Sequence, residues 1–151
     1  MTQQTPTFQR YEPRKGLTIL HEQREVPPVD AIRIFFPIGS ARETRDEEGL
    51  AYLTSRIMTR QTKNRNLYEF ARFVDDRGLK ISSTVSPDHI NFSFTGTRNF
   101  RTPLLEIVQE ILTKPDFPAD ALERLRTQQL ASIRERADQS FPYAMDQSRR
   151  T

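Results

Sequence analysis

Alternating apolar and polar positions predict four short strands in the chain. Residues 17–21 and 31–37 are each apolar at every second position or nearly so, and a proline-containing loop separates them. Residues 80–85 and 89–95 alternate on either side of Ser86-Pro87-Asp88. Because this tripeptide is typical of tight turns, we predict that the last two strands form a hairpin.

Apolar residues spaced three and four positions apart predict four helices. The first covers residues 49–62, and the second begins at the N-cap Asn66 and stops at Gly78. The third begins at Thr102-Pro103 and ends at Pro115, and the fourth covers residues 118–138. The apolar positions expected to face inward on the fourth helix are Leu122, Leu125, Leu130 and Ile133. A break is expected at residues 141–143 because they contain a proline.

This order of elements favours an α+β fold in which a mixed or antiparallel sheet is covered by helices on one face. Residues 1–13 are polar with two prolines, and we predict a flexible N-terminal arm there. Residues 14–151 are enough for one domain with a hydrophobic core. The sequence pattern predicts that a new element starts just before the last residue, so we expect this domain to be incomplete at its C-terminus.

The charge balance narrows the range of partners. The 151 residues carry a formal net charge of only +3, and the arginines are interspersed with acids, so we predict no nucleic-acid partner. The absence of cysteine excludes thiolate metal sites and cysteine nucleophiles. No apolar run is long enough for a signal peptide or a membrane span. We expect a soluble chain. Its sequence does not determine the cellular compartment, and the cytoplasm is favoured over the periplasm or an organelle.

The two histidines are the first candidates for catalytic or metal-binding residues. His21 begins a sequence like HExxH, but Glu25 occupies the second histidine position and the segment follows a strand, so we predict no zinc site there. His89 follows Asp88 in the predicted turn, and this pair could orient a general base. No nucleophile is evident beside it, so we predict an ordinary surface histidine.

The helix at residues 49–62 has two distinct faces. Leu50, Leu53 and Ile57 form an apolar stripe that is expected to enter the core, whereas Tyr52, Ser55 and Arg56 form a second stripe of mixed character. The periodicity alone gives this second stripe no function.

The chain resembles the N-terminal half-domain of the insulinase and mitochondrial processing peptidase family of zinc metallopeptidases, the inverzincins. The resemblance covers nearly the whole chain and rests on the order and spacing of short segments. These segments are residues 16–20, Pro27-Pro28, Gly39-Ser40 with Glu43, Gly49-Leu50-Ala51, residues 78–86 and residues 117–129. The resemblance implies a processing-peptidase-like fold.

The resemblance also implies that the catalytic residues are absent. Active members of this family carry H-x-x-E-H on the helix after Gly-Leu-Ala, where the histidines bind zinc and the glutamate activates water. The histidine positions are Tyr52 and Arg56 in this chain, and the glutamate position is Ser55. The third ligand, a glutamate further along, falls at about Ser132. The resemblance therefore implies an inactive homologue with no metal and no cofactor.

Inactive members of this family pair with a zinc-bearing subunit and help to enclose the peptide substrate. The resemblance implies this role here, as a heterodimer or by self-association. Peptides would add as a strand to the edge at Ser82, Ser83 and Thr84, unless that edge is purely structural. Arg56 carries a permanent positive charge that could form an ion pair with Glu135, or with an acidic group of a partner subunit or peptide.

The sequence is also compatible with two other functions. The first is a structural scaffold of the same fold, as in the core subunits of respiratory complexes that belong to this family. The second is an active metallopeptidase with different ligands, which is disfavoured because the chain has only His21 and His89, which are 68 positions apart.

Overall fold

The computed structural model describes residues 8–23 and 27–138. The five strands are β1 (Gln9–Arg14), β2 (Leu17–His21), β3 (Val29–Phe36), β4 (Lys80–Val85) and β5 (Ile90–Thr97). The four helices are α1 (Leu50–Met58), α2 (Leu67–Asp75), α3 (Arg101–Thr113) and α4 (Ala119–Asp138). The predicted α+β class is confirmed, and both sheets are antiparallel.

Strand β1 lies within the segment that was predicted to be a flexible arm. It pairs with β2 in a hairpin, with Gln9 opposite His21, and Gly16 adopts a φ of +83° at the turn. The register is irregular between Tyr11 and Arg14, on either side of a proline that cannot donate to the ladder. The prediction was wrong for this strand because its side chains are polar and exposed, so no apolar alternation marks it.

The second sheet has the strand order β3-β5-β4. The predicted hairpin corresponds to β4 and β5, and β3 pairs with the other side of β5, with Ile32 opposite Phe94 and Ile34 opposite Phe92. Strand β5 is therefore central, and β4 forms one edge of the sheet. On one face of the sheet the side chains are apolar, because these cross-strand pairs all point the same way.

The hydrophobic core lies between this apolar face and the helices. Helices α2 and α3 supply most of the helical side chains, and Met58 at the end of α1 packs beside them. The spacing of apolar residues predicts that α3 buries Leu104, Ile107, Val108, Ile111 and Leu112; the first four are buried, but Leu112 is 37% exposed. The core residues are Phe70, Leu79, Phe92, Phe94, Leu104, Ile107, Val108 and Ile111.

Ile57 of the predicted apolar stripe of α1 is 1% exposed, but Leu50 is 53% exposed, so the prediction that Leu50 enters the core was wrong. Helix α1 is also shorter than predicted, because the chain leaves the helix after Met58 and Thr62 joins a buried polar cluster. Thr62 is 2% exposed, and its hydroxyl donates to Glu110 Oε2 at 3.0 Å. Arg65 forms ion pairs with Glu110 and with Glu106. Burial alone would raise the pKa of Glu110, but the hydrogen bonds from Arg65 and its loop outweigh burial and lower it.

Helix α4 agrees with its predicted bounds but not with its predicted inward face. Leu125 is 7% exposed, whereas Leu130 and Ile133 are 42% and 46% exposed. The helix packs against α1. Gln129 lies beside Gly49, and Leu130 and Ile133 are each one position, or about 100° around the helix, from Gln129 and Ser132, so they lie off the face that packs on α1. The break predicted at residues 141–143 lies outside the described residues.

The second helix starts as predicted. The Asn66 side chain accepts hydrogen bonds from Tyr68 N and Glu69 N, and Glu69 bonds back to Asn66 N, which completes a capping box. Within residues 8–23 and 27–138, no helix has the length and apolar character to cross a membrane.

Candidate functional site

The start of α1 is fixed by a carboxylate from the preceding loop. Glu43 Oε2 accepts a hydrogen bond from Gly49 N at 2.8 Å, and Glu43 Oε1 accepts one from Ala51 N at 2.6 Å. No capping side chain stands at Gly49 and no acid lies in the first turn of α1. Glu43 therefore supplies both the missing cap and the negative charge that a helix N-terminus favours.

Gly49 lies where α1 approaches α4. Its φ of +92° is a left-handed conformation that favours glycine, and a Cβ at this position would lie 3.1 Å from Gln129 Nε2. The small residue allows the two helices to come close at this end. The space between them continues along both helices as a cleft.

This cleft between α1 and α4 has a volume of about 490 Å³. Three of the four positions implied by the family resemblance line it, namely Tyr52 and Arg56 from α1 and Ser132 from α4. The remaining lining residues are Arg60, Leu125, Gln128 and Gln129. The structure thus brings together residues that are up to 80 positions apart in sequence, at the place where the resemblance puts a zinc site.

The fourth position, Ser55, does not line the cleft. It is 1% exposed, and its hydroxyl donates to the Tyr52 carbonyl oxygen at 3.0 Å within the same helix. A serine hydroxyl cannot replace the glutamate carboxylate that takes a proton from water in active members of the family. The site therefore contains no general base at the position of the family glutamate.

Arg56 gives the cleft its character. The guanidinium carbon lies 5.9 Å from the centroid of the Tyr52 ring, and Nε is buried without a hydrogen-bond partner. None of the ion pairs among the described residues joins Arg56 to Glu135, so that predicted pairing is wrong. A guanidinium has five donors and no acceptor, so it cannot be a metal ligand.

The lining residues do not fit a catalytic zinc ion. Such an ion takes three protein ligands from histidine, cysteine or carboxylate side chains, and the seven lining residues include none of these. Across the described ranges, no three His, Asp or Glu side chains cluster closely enough to hold a metal. The chemistry of the cleft is that of hydrogen-bond donors and positive charge.

The turn before β5 places Ser86 beside His89, a contact that the sequence did not predict. Ser86 Oγ and Asp88 Oδ1 each lie 2.8 Å from His89 Nδ1, so a serine does stand beside this histidine. Both contact the same ring nitrogen, whereas a catalytic triad needs the serine on Nε2 and the carboxylate on Nδ1. Ser86 also bonds the His89 backbone, and these contacts stabilise the turn.

The other candidate histidine is an exposed strand-end residue. His21 ends β2 opposite Gln9. Glu25, which completes its partial motif in the sequence, lies outside the described residues.

The proposed peptide edge corresponds to β4. In the described sheet β4 pairs with β5 alone, so its other side carries unpaired backbone groups. Ser82 and Thr84 are exposed on the open face of the sheet, whereas Ser83 points towards the core side and its Oγ is buried without a hydrogen-bond partner. The residues predicted for strand addition thus lie on a true sheet edge.

Sequence reasoning missed the arginine and the two glutamines that complete the cleft. Arg60 follows Arg56 by four positions, and Gln128 and Gln129 precede Ser132 by four and three positions. Helical spacing was therefore a signal that could have found them. Glu43 was noted only for its place beside Gly39-Ser40, and its capping role required the fold.

Comparison with known proteins agrees with the family resemblance seen in the sequence. A family model described as insulinase (peptidase family M16) matches residues 18–147. The non-peptidase homolog YmxG of Helicobacter pylori is 22% identical over 125 residues, which span 83% of this chain and 29% of that protein. The mitochondrial cytochrome b-c1 complex subunit 2 of Rattus norvegicus is 26% identical over 101 residues, which span 67% of this chain and 22% of that protein.

Two solved structures share the fold. A peptidase M16 inactive domain from Pseudomonas fluorescens superposes with a TM-score of 0.84 at 23% identity, covering 92% of this chain and 34% of that one. A protease from Helicobacter pylori superposes with a TM-score of 0.78 at 19% identity, covering 89% and 32%. The chain spans about a third or less of the length of each of these four proteins.

Proposed function

The chain belongs to the insulinase family, peptidase family M16, and from this premise we propose that it is a non-catalytic subunit of a two-component peptidase. In this proposal it pairs with a zinc-bearing subunit of the same family and contributes to the chamber that holds the peptide. The relatives named as a non-peptidase homolog and as an inactive domain support the absence of catalysis.

The observation that carries the proposal is the content of the α1–α4 cleft. Tyr52, Arg56 and Ser132 meet there, and these are the positions that the family resemblance gives to the zinc ligands of active members. Replacement of imidazole and carboxylate by a phenol, a guanidinium and a hydroxyl removes the ligands together. A retained fold with all ligands replaced is what a subunit selected for assembly, and not for chemistry, would have.

The edge strand supports the peptide-binding part of the proposal. A peptide that adds to β4 would bind through its backbone at Ser82, Ser83 and Thr84, and such binding tolerates many side chains. A chamber subunit needs this tolerance if its partner is to cleave varied sequences.

The proposal is tested by mixing the chain with a zinc-bearing M16 homologue from the same source. Peptide cleavage by the equimolar mixture should exceed the sum of the two proteins measured alone, and the pair should co-elute as a heterodimer. A peptide N-methylated at alternate residues lacks backbone donors and should lose the stimulation. Equal cleavage with and without the chain would contradict the proposal.

The second candidate function is a structural scaffold, favoured by the similarity to subunit 2 of the cytochrome b-c1 complex. A scaffold would co-purify with a large assembly and would leave peptide cleavage unchanged. A homodimer without stimulation would instead indicate self-association. Sizing and cleavage measured on the same preparation separate these outcomes.

A further inference from the structure

We propose that the cleft between α1 and α4 binds an acidic side chain of the peptide held at β4, the strand that α1 contacts. The inference rests on the proposed function, since it identifies the class of peptide that the chamber would prefer. In this view, the position that holds a cation in active members has become a site for an anion.

The first reason is that two arginines of the cleft have no acidic partner among the residues that the structure describes. Four described arginines are half-buried. Arg65 pairs with two glutamates, and Arg77 donates to the Phe73 carbonyl oxygen and stacks on its ring. In contrast, neither Arg56 nor Arg60 forms an ion pair within the described ranges.

The partial desolvation of these two guanidinium groups costs free energy, which an anionic ligand would offset. A half-buried guanidinium has lost part of its hydration, and Nε of Arg56 is buried with no acceptor. Arg60 follows one helical turn later, and its backbone N–H donates to the Ile57 carbonyl oxygen at 3.0 Å, which keeps it in line with the helix end. Two guanidinium groups on one side of a cleft match a carboxylate, which accepts bidentate hydrogen bonds.

The rest of the cleft is consistent with this ligand. The other polar lining residues, Tyr52, Gln128, Gln129 and Ser132, all carry hydrogen-bond donors, and no lining residue is acidic. The volume of about 490 Å³ is that of a small-ligand cleft and leaves ample room for one side chain. An aspartate or glutamate side chain therefore fits both the charge and the space.

The test uses two fluorescein-labelled octapeptides with blocked termini, alternating valine and threonine around one central glutamate or one central glutamine. Fluorescence anisotropy with the full chain should show roughly tenfold tighter binding of the glutamate peptide at low salt. Arg56→Gln and Arg60→Gln should each remove most of this preference, whereas Arg56→Lys should keep part of it. The matched control is Arg72→Gln, an exposed arginine on α2 that should leave the preference unchanged.

The outcomes separate this inference from the proposed function. Equal affinity for the two peptides would overturn the carboxylate site and leave peptide binding at β4 intact. Undiminished preference in a folded Arg56→Gln, Arg60→Gln double variant would also overturn it. If neither peptide binds, the site and the peptide-binding part of the proposed function both fail, while stimulation of a zinc-bearing partner would still be decided by the cleavage assay.

Discussion

Replacement of Glu43 should destabilise the protein more than its place in a loop would indicate. Its two carboxylate oxygens accept hydrogen bonds from Gly49 N and Ala51 N, two of the backbone donors at the start of α1 that lack partners within the helix. Both bonds are partly buried, so water replaces them incompletely when the carboxylate is removed. Glu43→Ala therefore leaves the N-terminus of α1 without its cap.

The expected loss follows from these contacts. A hydrogen bond to a charged group contributes about 1.5–3 kcal/mol, and partial access of water reduces each value. We expect Glu43→Ala to lower the free energy of unfolding by about 2–4 kcal/mol. Glu43→Gln retains the shape and one acceptor oxygen but loses the charge, so its effect should be about half as large.

Urea unfolding followed by circular dichroism measures this difference. Glu48→Ala is the matched control, because it removes an exposed carboxylate from the same loop. The control should change the free energy of unfolding by less than about 0.5 kcal/mol. If Glu43→Ala behaved like the control, the reasoning that α1 depends on this cap would be refuted.

Three further predictions concern the buried polar cluster, the loop at Gly39 and helix α4. The pKa of Glu110 is lowered from its ordinary value of 4.5, so its contribution to stability is present above that pH and is lost as the pH falls through the lower folded value. Glu110→Gln should flatten the acid side of a plot of unfolding temperature against pH, and an unchanged slope would contradict this. Gly39→Ala should destabilise by about 2 kcal/mol or more in urea unfolding, because the new Cβ would lie 2.2 Å from the Ser86 carbonyl oxygen; a neutral effect would show that the two loops separate easily. Leu125→Ala should cost about 2–4 kcal/mol and Leu130→Ala less than about 1 kcal/mol, since Leu125 is buried and Leu130 is exposed; equal losses would mean that Leu130 is covered in solution.

The sequence predicted the helices and the central hairpin because local signals determine them. The capping pair Asn66 and Glu69 and the prolines at 103 and 115 mark helix ends that the structure confirms to within a few residues. Strand β1 escaped prediction because its stability comes from pairing with β2 and not from an apolar face. The inward face of α4 was misjudged because polar residues, Gln129 and Ser132, lie on the side towards α1, while Leu130 and Ile133 lie on a neighbouring, exposed face.

The cleft was only partly predictable for a related reason. The resemblance supplied Tyr52, Arg56 and Ser132 as positions, and the fold placed them at one site. The absence of an ion pair between Arg56 and Glu135 depends on side-chain geometry that one sequence does not determine. The contribution of Glu43 likewise depends on a loop that folds back onto a helix end.

The measurement that tests the central claim most directly is zinc content, determined by mass spectrometry after dialysis, for the natural chain and for a variant with the family ligands restored. The variant carries Tyr52→His, Ser55→Glu, Arg56→His and Ser132→Glu. If the cleft is a zinc site that has lost its ligands, the natural chain should retain essentially no zinc and the restored variant about one ion per chain. Stoichiometric zinc in the natural chain, or none in a folded restored variant, would contradict the account.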